Sequence, residues 1–220
     1  MLKVLRNNHG FDFLFGIAGL IRGRPNMAGT EKQKMISGEM YQAWDEELVA
    51  ERQKAKKLCF ALNQTCPTEE DTRKALINEL LSKETDAWIE SPFYCDYGYN
   101  LKVGKAFYAN HGCTILDCAP INIGDNCMLA PGVVIATAGH PLDPVERASG
   151  EEFAKKITIG NDVWLGANAT VCPGVTIGDN VVVGAGSVVT KDLPANTVCV
   201  GSPAKPVRTL ALNGDKSALA

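Results

Sequence analysis

Residues 157–198 read ITIGNDVWLGANATVCPGVTIGDNVVVGAGSVVTKDLPANTV, and an aliphatic residue returns at every sixth position: Ile159, Leu165, Val171, Ile177, Val183, Val189. The same series runs upstream through Val103, Ala109 and Ile115, then Ile123, Leu129 and Ile135. Glycine follows the aliphatic in Val103-Gly104, Ile123-Gly124, Ile159-Gly160, Leu165-Gly166, Ile177-Gly178 and Val183-Gly184. Four positions after it stands a small or β-branched residue: Cys127, Val133, Val163, Ala169, Val175, Val181 and Ser187. This period belongs neither to an amphipathic helix nor to an alternating strand. It describes a solenoid of triangular cross-section with one hexapeptide per flat side. Each aliphatic points inward and stacks on its counterpart in the next coil. Gly124-Asp125-Asn126, Gly160-Asn161-Asp162 and Gly178-Asp179-Asn180 suit the corners, where the backbone turns tightly.

Upstream of the repeats the character changes near Ser91. Residues 30–90 are rich in Glu, Lys, Leu and Ala, and two helices can be read there. Asp45 is the expected N-cap of the first, whose apolar stripe is Leu48, Ala55, Cys59 and Leu62. Thr68 is the expected cap of the second, with Glu69, Glu70 and Asp71 against its dipole and Leu76, Ile77, Leu80 and Leu81 facing inward. The expected organisation is an extension over 1–29, a helical segment over 30–90, a β-helix over 91–210 with an inserted loop at about 141–158, and a tail over 211–220. The extension reads as a disordered tail or as a stretch upstream of a true start at Met27.

The formal net charge of -3 offers nothing to a nucleic acid or an anionic membrane surface. The apolar stretch 11–21 is too short to span a bilayer and contains Asp12. Eight cysteines form no CxxC pair. Cys113, Cys127 and Cys199 occupy the small-residue slot of the repeat, so they read as buried hydrophobes in a reducing compartment, the cytoplasm, and no metal site is expected.

Three segments carry a resemblance beyond the repeats: CDYGYNLKVGKAFYAN (95–110), IGDNCMLAPGVVI (123–135) and GHPLDPVER (139–147). With residues 157–198, GSPAKPVR (201–208) and KMISGEMYQAWDEEL (34–48), they make the chain resemble the maltose and galactoside O-acetyltransferases among the hexapeptide-repeat transferases. The maltose branch is the nearer, through DYGYN and the LAPGV run. The resemblance implies a mainly β fold, a left-handed parallel β-helix with a short helical entry. It also implies acetyl-CoA as co-substrate without a metal, a small sugar as acceptor, and a homotrimer with sites between neighbouring subunits.

Acetyl transfer to a hydroxyl needs a base, a donor for the oxyanion, and both substrates held in reach. Of the three histidines, His9 lies in the extension and His111 reads as an exposed coil residue. His140 sits where the repeat breaks, inside the matched GHPLDPVER, and an imidazole suits base work at neutral pH. By the resemblance His140 is the catalytic base, and Asn110, Asp96 and Asp117 are acceptor contacts. The backbone N–H of Ala167, after Trp164, is the oxyanion donor. Ala185, Thr190 and Lys191 line the pantetheine groove, with Lys205 and Arg208 near the coenzyme's phosphates.

Two departures point away from galactosides. Asp117 is followed by Cys118 where that branch carries paired acids, and Ala43 replaces its aspartate. A γ-type carbonic anhydrase would need three well-placed histidines. An acetyltransferase for serine or a xenobiotic, and a non-catalytic assembly module, are the remaining alternatives.

Overall fold

A computed structural model describes residues 29–211. The readings made for residues 1–28 and for 212–220 lie outside the described residues. Strands of two to six residues form the three faces of a prism, with seven, five and four strands, all parallel except the last strand of the seven, Ala204–Thr209, which folds back antiparallel. The inward residues stack as the six-residue period requires. On the seven-stranded face the column is Ile89, Ala109, Leu129, Leu165, Val183 and Cys199. On the five-stranded face it is Cys95, Ile115, Ile135, Val171 and Val189. On the four-stranded face it is Val103, Ile123, Ile159 and Ile177, continued by a bridge to Leu193. All of these are buried in one continuous core, so no coil closes its own apolar face without its neighbours. The fold is the left-handed parallel β-helix that the resemblance implies.

Three edges join the faces, and they are not equivalent. At the third edge, between the four- and seven-stranded faces, Asn126, Asp162, Asn180 and Asn196 all take left-handed backbone angles (φ 53 to 59°). Short polar side chains tolerate that conformation. Their neighbours form a ladder along the edge. Asp125 Oδ1 accepts from Lys105 N–H at 2.8 Å, Asn161 Oδ1 from Asp125 N–H at 2.9 Å, and Asp179 Oδ1 from Asn161 N–H at 2.6 Å. Glycine is obligatory beside this ladder. A Cβ on Gly124 would lie 2.5 Å from Asn161 Oδ1 and 2.7 Å from the backbone of Gly160.

The second edge, between the five- and four-stranded faces, takes the interruption. After Val134–Ala136 the chain leaves the prism and forms the short strand Ala138–Gly139. It then makes helix α4, which is numbered after the three N-terminal helices described below, over Pro144–Ala148 and the strand Glu151–Ala154, and rejoins the prism at Ile157. The expected loop thus has structure of its own. Its two strands pair antiparallel, and Glu151–Glu152 pairs in turn with Tyr41–Gln42 of the N-terminal segment.

That segment holds three helices rather than two: α1 (Glu31–Ser37), α2 (Glu46–Gln64) and α3 (Glu70–Leu81). Thr30 and Gln33 form a reciprocal capping box on α1, and Gly38 ends it in the left-handed region (φ 86°). Asp45 caps α2 as expected, through Glu47 and Leu48 N–H. Thr68 does not cap α3. The helix starts one residue later, from Glu69 without a side-chain bond, because the Thr68 hydroxyl is turned to Cys66 Sγ at 3.2 Å. The pair α2–α3 closes the open end of the prism with Ala55, Cys59, Leu62, Ile77 and Leu80. Arg73 is buried beneath them and donates to the carbonyls of Leu62 and Ile89. The eight cysteines are unpaired, and Cys113, Cys127 and Cys199 are buried as read from the repeat.

Asp117 lies at the second edge with no exposed surface. One carboxylate oxygen accepts from Asp96 N–H at 3.1 Å and Tyr97 N–H at 2.8 Å, while the other has no hydrogen-bond partner among the described residues.

Two predictions follow from this packing. The variant Gly124→Ala forces two coils apart and should lose roughly 1–3 kcal/mol in urea unfolding, with an unchanged m-value. The second concerns pH. Burial pushes the Asp117 carboxyl up to about 6, above the roughly 3.9 of an unfolded aspartate. The folded state therefore binds the proton more tightly, so its stability from this group falls as pH rises through that window and is level above it. Urea unfolding should show a loss of about 3 kcal/mol between acid and neutral pH from Asp117. Asp117→Asn should flatten that slope.

Candidate active site

A cleft of about 280 Å³ opens at the second edge, among the N-terminal segment, the first coils and the inserted loop. Its walls include Trp44, Arg52, Asp96, Cys118, His140 and Glu152. A small separate core of Met35, Tyr41, Leu48, Tyr97, Cys118 and Ala154 underlies it and locks the three parts together. His140 directly follows the strand Ala138–Gly139 at the root of the loop and is about half exposed. Its Nδ1 lies 4.0 Å from Glu152 Oε1. The other Glu152 oxygen accepts from the Tyr41 hydroxyl at 2.8 Å, and Tyr41 is directly opposite Glu152 in the antiparallel pair. The carboxylate is therefore fixed from behind and presented to the imidazole.

Asp96 faces the same space. Burial raises its carboxyl pKa, and the Cys118 thiol, donating to Oδ2 at 3.4 Å, works in the opposite direction. Its backbone N–H is held by Asp117, which stands behind the cleft and not in its wall. Arg52 on α2 donates to the Tyr97 hydroxyl at 2.7 Å and to the Ala43 carbonyl, which sets the height of the cleft's far wall. Two cations (Arg52, Lys56) and two carboxylates (Asp96, Glu152) line the cleft.

The other expected residues lie elsewhere. Asn110, Ala167 and Ala185 belong to the first edge, between the seven- and five-stranded faces, because each closely follows a strand of the former and precedes one of the latter. Asn110 is half-buried, and its Oδ1 accepts from the following His111 N–H at 2.7 Å. The His111 ring nitrogen meets the Ser91 carbonyl at 2.6 Å, and that histidine is exposed. Ala167 accepts from Gly186 N–H through its carbonyl, and its own N–H has no bond among the described residues. Gly166 just before it has no room for a side chain, since a Cβ would lie 2.6 Å from Ala185 N. Trp164 projects from the seven-stranded face in an outward row with Met128 and Val182, and is 48% exposed. Thr190 and Lys191 are exposed at the second edge, beyond the inserted loop. Lys205 and Arg208 lie on the final hairpin, opposite Val200 and Val198.

One chain thus brings His140 and Asp96 together. It leaves Asn110, Ala167 and Ala185 across the five-stranded face from them. Sequence reasoning missed Glu152, Arg52, Tyr41 and Trp44. No periodic signal marks them, because what unites them is an antiparallel pairing between residues far apart in the chain.

Three family models match. They are the maltose acetyltransferase hexapeptide capping motif over residues 34–84, the bacterial transferase hexapeptide (six repeats) over 156–191, and the hexapeptide repeat of succinyl-transferase over 109–136. The crystal structure of a maltose O-acetyltransferase from Clostridium difficile 630 is 48% identical, with a TM-score of 0.82 over 84% of this chain and 100% of that one. The galactoside O-acetyltransferase of Escherichia coli K12 is 41% identical over 186 residues, 84% of this chain and 91% of its own. A hexapeptide-repeat acetyltransferase from Vibrio cholerae O1 biovar eltor, solved with acetyl coenzyme A, is 36% identical, with a TM-score of 0.77 over 83% of this chain and 100% of that one. The helical cap and the coils fall within the family models, and the chain belongs to the maltose/galactoside O-acetyltransferase family as an acetyl-CoA-dependent acetyltransferase.

Proposed function

We propose that the chain moves the acetyl group of acetyl-CoA to a primary hydroxyl, O6, of a small neutral sugar such as maltose or glucose. The observation that carries this reading is the cleft that His140 lines together with Asp96, with Glu152 Oε1 4.0 Å from its Nδ1. A carboxylate behind Nδ1 leaves Nε2 to face the acceptor, the arrangement a general base requires. Asp96 can accept from sugar hydroxyls, and the balance of two cations and two carboxylates favours a neutral ligand.

His140 removes the hydroxyl proton as the oxygen attacks the thioester carbonyl. The Ala167 N–H steadies the oxyanion. The imidazolium then returns its proton to the departing thiolate as the C–S bond breaks. Trp164, Ala185, Thr190 and Lys191 would border the pantetheine arm, and Lys205 and Arg208 the phosphates. Asp117 acts as a positioning residue that holds Asp96.

The reading needs a second copy of the chain. His140 and Ala167 lie on different edges, so direct transfer requires the second edge of one copy to meet the first edge of the next. Repeating that heterologous contact three times closes a ring, which is the expected homotrimer.

Thiol release from acetyl-CoA, measured with maltose, glucose, a β-galactoside, serine and chloramphenicol, tests the reaction. Sugar-dependent release is expected, and turnover confined to serine or chloramphenicol would replace the sugar reading with the non-sugar alternative. His140→Ala should lower kcat by 10²-fold or more. Glu152→Gln should lower it by roughly 10- to 100-fold, less than the ~10⁴ lost from a hydrogen-bonded triad carboxylate. Mixing inactive His140→Ala and Asn110→Ala subunits by co-refolding should restore about a quarter of wild-type activity, since random trimers then contain sites with both residues intact. Mixtures as inactive as their parents would place each site within one chain.

A further inference from the structure

Trp44 stands at the rim of the cleft and is 77% exposed, more than Trp88 or Trp164. Isolated exposed apolar residues are ordinary on a protein surface, but this one stands at the mouth of a cleft, on a backbone pinned from both sides. Trp44 is fixed. On one side the carbonyl of Ala43 is held by Arg52, and on the other Asp45 caps α2. Gln42, two residues before, pairs with Glu151 of the inserted loop, next to Glu152. Gly150 closes against the ring from the loop. Its backbone is left-handed (φ 84°), and a Cβ there would approach Trp44 Cδ1 to 3.3 Å. The backbone that carries the ring is therefore held at the rim of the cleft, and most of the ring's surface is exposed.

Resting on the sugar reading above, we infer that Trp44 is a stacking platform for a second sugar ring, and that it makes the enzyme select disaccharide or longer acceptors over monosaccharides. The part of the cleft that one chain supplies, at about 280 Å³, lies below the roughly 300–1,000 Å³ of sites that enclose a whole drug-sized ligand. It takes one ring beside His140 and Asp96, which leaves the next ring of a longer acceptor at the rim. A pyranose carries its C–H bonds on its faces and its hydroxyls around its edge. An indole face matches the first through its negative quadrupole, while water keeps the second. No charge is needed for this contact, in keeping with a neutral acceptor.

The test is the ratio of kcat/KM for maltose to that for glucose, in wild type, Trp44→Ala and Trp44→Phe. The alanine variant should lose roughly 5- to 10-fold in that ratio, the worth of one aromatic contact, and phenylalanine should restore most of it. Maltose should also perturb the tryptophan fluorescence of the wild type, and that change should vanish in Trp44→Phe, which keeps Trp88 and Trp164. Equal losses for both sugars would show a merely structural role and overturn the inference, as would an unchanged ratio. In both cases the sugar reading survives. A wild type that acetylates neither sugar overturns the proposed function and this inference with it.

Discussion

The constraint on which the rest depends is the vertical stacking of inward aliphatics, one above another on each face of the prism. A parallel ladder between short strands offers little by itself, and strands of two residues have almost no independent stability. What fixes them is that Leu129, Leu165 and Val183, and the corresponding columns on the other faces, are each sealed by the coil above and below. The register cannot slip by one residue, because that would turn an entire column outward into water. The edges must then turn at set positions. The left-handed asparagines and aspartates of the third edge are consequences of the columns and do not create them.

A lattice this strict gives the protein few places to build a site. Along the faces every other residue is committed to the core, and along the third edge the side chains are committed to one another. Between the first coil and the final hairpin the chain makes one long departure from the lattice, at the second edge, and it is anchored at both ends by coil residues. The excursion, a hairpin with its own short helix, is tied to the rest of the molecule by pairing with Tyr41–Gln42. That pairing does two jobs. It fixes Glu152 through the Tyr41 hydroxyl, and it carries the N-terminal segment, with Arg52 and Trp44, across the edge to form the far wall of the cleft. The helical cap therefore closes the end of the prism and builds the far wall of the cleft through one continuous packing arrangement.

How much of this was legible in the sequence follows from which features are periodic. All twelve aliphatics of the six-residue series are buried, and the corner residues bend where the glycines and asparagines indicated. His140 was conspicuous because it stood where the period failed. Glu152 was not, since it is one of two adjacent glutamates in a short polar loop, and only an antiparallel partner more than a hundred residues away distinguishes it from Glu151. Thr68 misled for a local reason: a threonine ahead of three acids is a good cap in isolation, but the neighbouring Cys66 sulfur takes its hydroxyl. Asp117 read as a ligand contact by its place in a matched motif. Its burial depends on the packing of Tyr97, Cys118 and Ala119 around it, which no linear pattern encodes.

The division of the expected site between two edges has a physical reason as well. A triangular prism is convex everywhere, and a convex surface cannot surround a substrate with a base on one side and an oxyanion donor on the other. The inserted loop and the helical cap make one edge concave, and the proposed acceptor site is the cleft they form. The first edge keeps the bare lattice geometry, in which Gly166 lets two coils approach until Ala185 lies against it and the Ala167 N–H is left without a partner among the described residues. A donor pointing away from its own coil is useful only to something that arrives from outside. In the proposed reaction, the surface that brings a hydroxyl and a base toward it is the loop-bearing edge of another copy, and association is then part of the chemistry.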